Sequence, residues 1–112
     1  MLARVNRVTR PADFRAAVRR GRRVGTTGAV VHVLDRHVAE PTRFGFIVGK
    51  SVGGAVVRNT VKRRLRAVSY DLLPTLSEGR DVVIRALPGC DQVSWATLHS
   101  EIADGLTRGG AR

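Results

Sequence analysis

Between Glu40 and Asp71 the chain carries no acidic residue, and within that gap lies a segment able to bury only one side of itself. From Ala55 to about Leu72, the apolar residues Val57, Val61, Leu65, Val68 and Leu72 recur at i, i+4, i+8, i+11 and i+15. At about 100° per residue they occupy roughly 80° of a helical circumference, a narrow dry seam. Arg58, Asn59, Lys62, Arg63 and Arg66 fall on the opposite side, and Arg64 alone flanks the seam. Solvated helix faces ordinarily mix signs so that i,i+4 pairs form. A seam with an unbroken cationic back is instead a face built to meet phosphates.

The rest of the composition agrees. The chain has 20 Lys and Arg against 9 Asp and Glu, a net charge of +11, and 18 of those cations are arginine. An excess of this size repels itself in the compact state and calls for a polyanionic partner. Coding bias can favour arginine over lysine, but it does not explain the surplus of cations over anions. The charge is also unevenly placed. Residues 1–23 hold eight Arg and one Asp, residues 43–66 hold five Arg and two Lys, and residues 67–107 hold two Arg against six acids. Two basic blocks in one small chain imply a bipartite surface.

At 112 residues the chain reads as one domain, 1–112, with residues 108–112 expected to be a flexible tail. No apolar run reaches the ~18 residues of a membrane span, and the start lacks the apolar stretch of a secretory signal. The expected location is therefore cytoplasmic, with no membrane partner and no obligate protein partner evident. Cys90 stands alone, which rules out a disulfide framework and a multi-cysteine zinc site.

Along the chain, Thr9-Arg10-Pro11-Ala12-Asp13 reads as a helix start, with Thr9 as cap. Phe14, Ala17 and Val18 form its inward stripe and Gly21 its stop. Residues 28–35 are a strand, 44–48 a second that forms a hairpin with it, and 22–27 hold a third short one. Ala55 to Leu72 is the second helix, Asp81 to Ala86 another strand, and Ser94 caps a last helix with Trp95, Leu98 and Ile102 inward. The order α-β-β-β-α-β-α makes the fold class α+β, a sheet with helices packed against it.

Two familiar motifs fail on inspection. Gly45 to Ser51 has three residues between its glycines where a phosphate-binding P-loop needs four. Gly25-Thr26-Thr27-Gly28 has the spacing of a KH loop, but an apolar strand follows where a helix is required. His32, His37, His99 and Cys90 lack ligand spacing, and no nucleophile-base set is apparent. We therefore expect no catalytic side chain and no metal held by the protein. His32 alternates with Val30 and Leu34 on one strand face, where a structural histidine and a nucleic-acid contact are equally consistent.

The segment Lys50, Gly53, Ala55-Val56, Arg58-Asn59, Lys62-Arg63 and Arg66 resembles the signature of the protein subunit of bacterial ribonuclease P. Asn6-Arg7, Asp13-Phe14, Val18, Gly21 and Asp81-Val82-Val83-Ile84 match that family in the right order, so the resemblance spans most of the chain. Ser51 stands where many members have a second lysine and Gly54 where they usually have asparagine. Val18 and His32 occupy positions that are often aromatic.

The resemblance implies a single-domain α/β sandwich with a left-handed βαβ crossover. It implies an endoribonuclease subunit that assists a catalytic RNA in removing the 5′ leader of precursor tRNA, with Mg²⁺ held in the holoenzyme through the RNA. Lys50, Arg58, Asn59, Lys62, Arg63 and Arg66 would contact the catalytic RNA. Phe14, Val18 and His32 would line a cleft for the single-stranded leader. A structural ribosomal protein or RNA chaperone would share the charge but have no effect on leader cleavage.

Overall fold

A computed structural model describes residues 2–112; Met1, the first residue of the expected domain, lies outside the described residues. Three helices, α1 (Pro11–Arg20), α2 (Ala55–Leu72) and α3 (Trp95–Arg108), pack on four strands, β1 (Arg22–Gly25), β2 (Ala29–Asp35), β3 (Arg43–Ile47) and β4 (Arg80–Ala86). Short 3₁₀ turns occupy Arg4–Asn6, Lys50–Val52, Leu73–Thr75 and Cys90–Gln92.

The sheet order is β1-β2-β4-β3. The expected hairpin between the second and third strands does not form, because β4 lies between them, antiparallel to β2 and parallel to β3. A parallel pair needs a crossover long enough to return the chain, and α2 supplies it. Short-range pattern reading favours neighbours in sequence; the 32-residue excursion from β3 to β4 is what displaces them here. The third short strand is present as β1, antiparallel to β2.

Strand alternation divides the core into two layers. Ala29, Val31 and Val33 of β2, Phe44 of β3 and Val82, Ile84 and Ala86 of β4 face α2 and α3, where Val61, Leu65, Val68, Leu98, Ile102 and Leu106 complete the main core. The seam read from the sequence is thus the buried face of α2: Val61, Leu65 and Val68 are fully buried. The opposite sheet face carries His32, Val83 and Gly45 in one register row, beneath α1.

Several local expectations are corrected. Thr9 does not cap α1; Arg10 is the N-cap and makes no side-chain cap bond, and Pro11 opens the helix. Gly21 does end α1, with an extended backbone: a Cβ there would lie 2.4 Å from the Ala17 carbonyl oxygen. Ser94 caps α3 as expected, accepting from the Thr97 N–H at 3.2 Å, but Trp95 is 46% exposed instead of inward. The core residues of α3 begin at Leu98, three positions further on. The tail expected to be loose is docked: Ala111 is buried, its N–H donates to the Leu106 carbonyl, and its carbonyl accepts from the Ser77 N–H, both at 2.8 Å.

Candidate nucleic-acid interface

The basic side chains are sorted by the fold into those spent on structure and those left free. Arg43 turns inward to Asp81, which is only 2% exposed, donating from Nε at 2.8 Å and from a terminal nitrogen at 2.6 Å. Arg36 Nε lies 3.0 Å from the same carboxylate, and Asp13 of α1 lies 3.5 Å from Arg43. The Asp81 hydrogen bonds raise the Arg43 pKa above its ordinary value. Two arginines that sequence counting placed in the polyanion-binding surplus therefore neutralise a buried acid and help tie α1 to the sheet. Arg64, the one cation beside the seam, donates to the Cys90, Asp91 and Val93 carbonyls and pins the loop before α3.

What remains on the back of α2 is the motif itself. Asn59, Arg63 and Arg66 are exposed, and Arg58 and Lys62 are half-buried. Lys50 is exposed in the turn between β3 and α2. Lys62 and Arg66 lean toward β3, an edge strand, and there form a cleft of about 280 Å³ with Arg7, Phe14, Phe46 and Gly45 among its walls. Gly45 is what lets the Phe14 ring lie on the strand, since a Cβ at that position would sit 2.5 Å from Phe14 Cε1. A second hollow of about 180 Å³ adjoins it through Phe14 and is lined by Arg15, Val18, Arg19 and Ile47. The α1 surface and the α2 surface, separate in sequence, thus meet around one aromatic ring.

Phe14 and Val18 do share a cleft; His32 does not join them. It is 2% exposed, so no face of its ring is open to a base, and neither ring nitrogen has a hydrogen-bond partner. Burial, then the charges of Arg85 and Arg23, hold its pKa below the ordinary 6.5. The physical reason is the row it occupies: β2 is an interior strand, with β1 and β4 on either side and α1 above. Sequence reading missed Arg7, Phe46 and Ile47. Ile47 was accessible to it, since strand alternation puts residue 47 on the same face as Gly45; Phe46 and Arg7 required the edge position of β3. Among the described residues no cluster of three or more His, Cys, Asp or Glu is placed to hold a metal ion, and no helix is long and apolar enough to cross a membrane.

The fold is an α+β domain in which free cations flank a groove lined by half-buried rings, features of the nucleic-acid-binding class. Comparison with known proteins narrows this. The family model described as Ribonuclease P matches residues 2–109. A ribonuclease P protein component from Clavibacter michiganensis is 55% identical over 108 residues, covering 96% of both chains. One from Streptomyces avermitilis is 49% identical over 123 residues and covers both chains completely. The chain belongs to the ribonuclease P protein family. The fold agrees with solved structures of RNase P proteins from Staphylococcus aureus (TM-score 0.82, 22% identity, covering 95% of this chain and 96% of that one) and Thermotoga maritima (TM-score 0.79, 22% identity, 91% and 96%).

Proposed function

We propose that this chain assists a catalytic RNA by gripping it with the back of α2 while the α1 cleft holds the 5′ leader of precursor tRNA. Maturation of the tRNA 5′ end is the function of the family to which it belongs. The observation that carries the residue-level reading is the meeting of Lys62 and Arg66 with Phe14 in one cleft, continuous through Phe14 with the hollow beside Val18. Lys50, Arg58, Asn59, Lys62, Arg63 and Arg66 meet phosphates of the RNA subunit. Phe14 and Val18, with Ile47, give unpaired leader nucleotides an apolar wall, and Arg15 and Arg19 take their phosphates.

Hydrolysis belongs to the RNA, where Mg²⁺ would activate water and stabilise the leaving oxygen. The side chains of this protein bind, orient and neutralise charge. A location in the cytoplasm, alongside both RNAs, completes the reading.

Reconstitution tests it: precursor tRNA is incubated with the chain, with the RNA subunit, or with both. We expect no cleavage by the chain alone and a gain at moderate salt when both are present. Cleavage by the chain alone would make it a self-sufficient nuclease. An unchanged rate with both would leave it a structural or chaperone protein. The cleft has its own test. Val18 is exposed, so Val18→Glu should fold normally yet weaken holoenzyme affinity for long-leader precursors about tenfold, without changing affinity for mature tRNA. Equal losses for both substrates would remove the leader from this cleft.

A further inference from the structure

On the flank of α2 away from β3 lies a groove of about 520 Å³, lined by Arg63 and Arg66 of the phosphate-binding set and by Ala67, Tyr70, Asp71 and Trp95, which have no part in that set. We propose that it is a second RNA subsite, holding one unpaired base of the RNA partner against Trp95 and Tyr70 with the adjoining phosphate on Arg63 and Arg66. This rests on the chain being an RNA-binding protein and adds a site and a ligand chemistry to it.

The aromatics are the first observation. Trp95 is 46% and Tyr70 53% exposed, and both line the same groove. Large rings standing in water beside one another mark a binding surface more often than a packing fault. Their placement is built. Ser94 caps α3 directly before Trp95, and His99 Nε2, one turn on, is 2.6 Å from Asp71 Oδ2 on α2. The His99 ring lies 6.1 Å from the Trp95 ring. Cap and bridge together hold the indole over the end of α2. Ala67, the small side chain of the lining, leaves room for a flat ligand, and the volume suits a nucleotide-sized guest.

Charge selects the occupant. Arg63 and Arg66 stand at the groove wall, Asp71 is engaged by His99, and Arg66 also lines the cleft at β3, so the two sites are continuous along one cationic helix. Aromatic rings bordered by arginines are the arrangement that binds single strands, with stacking for the base and guanidinium for the phosphate. A second copy of this chain fits poorly, because each copy carries +11 and would bring arginines against arginines.

Trp95 is the one tryptophan of the chain, so its emission reports on this groove and on no other place. The experiment titrates the full chain with single-stranded hexaadenylate, following Trp95 emission and, in parallel, anisotropy of the labelled oligonucleotide. We expect saturable quenching. Tyr70→Ala should move the quenching midpoint about tenfold to higher concentration, and Tyr70→Phe should restore it. Thermal melts of both variants should match the wild type. Binding by anisotropy with unchanged Trp95 emission would overturn the groove while leaving RNA binding intact. No anisotropy change at all would sink the RNA-binding reading itself. Emission that varies with protein concentration alone, together with a dimer in sedimentation that Trp95→Ala abolishes, would make the groove a contact between copies and end the proposal.

Discussion

His32 is buried with neither ring nitrogen hydrogen-bonded, a position that disfavours the charged ring and bears on stability. Its folded pKa lies below the 6.5 of a free imidazole, so as pH falls the unfolded chain takes up the proton first. The stability tied to the neutral ring is complete above about pH 6.5 and drains away below it. A His32→Leu variant, apolar and similar in bulk, should lose that acid sensitivity below about pH 6.5 in denaturant melts. An identical pH slope in the two proteins would show that the sensitivity comes from elsewhere. Neighbouring arginines make a second residue-scale contrast. Arg64 donates to three carbonyls of the Cys90–Val93 loop and Arg63 to none. Arg64→Ala should therefore cost about 2 kcal/mol of stability, whereas Arg63→Ala should melt within about 0.5 kcal/mol of wild type and weaken RNA binding instead. If the two variants exchanged phenotypes, the assignment of faces on α2 would be reversed.

At the scale of the element, α2 has two jobs on one cylinder. Its seam is sealed against the sheet and its back is left to solvent. Val61 lies in the seam with no exposure; Val61→Asp would put an unpaired charge into the main apolar core, beyond what the core tolerates. We expect circular dichroism to show an unfolded chain for Val61→Asp and a native spectrum for Arg63→Ala. A folded Val61→Asp protein would mean that α2 is not docked as described. The crossover gives the helix its position: β3 and β4 are parallel neighbours, so α2 returns the chain along the sheet, and Lys62 and Arg66 in its middle reach the β3 edge, where Phe14 joins them in one cleft.

Across the whole molecule, fewer arginines are free to reach out to RNA than the cation count gives, although the net charge is unchanged. Arg36 and Arg43 are held by Asp81, and Arg64 is held by backbone carbonyls. The free cations gather on α1, α2 and the N-terminal segment around the β3 edge. If binding to the RNA subunit neutralises about six phosphates, log affinity should fall against log salt with a slope of about −4 to −5. A nearly flat dependence, measured by filter binding across a salt series, would remove the electrostatic basis of the interface.

The sequence by itself determined α2, its seam and its cationic back, because helical periodicity is a local property that 18 residues display without reference to anything distant. It determined the family as well, since the Lys50 to Arg66 motif carries its identity in spacing. Strand pairing was another matter. The hairpin expected between β2 and β3 gave way to β4, because which strands pair depends on where α2 returns the chain, and no local pattern encodes that. The tertiary structure alone decided which members of an arginine-rich set are free. Asp81 claims Arg36 and Arg43 from positions 45 and 38 residues away in the chain. It also decided that His32 is covered, which the strand pattern left open, and that Trp95 is exposed, the reverse of what the helical pattern implied. Periodicity states which face a residue is on; only the packing of the other elements states whether that face meets water.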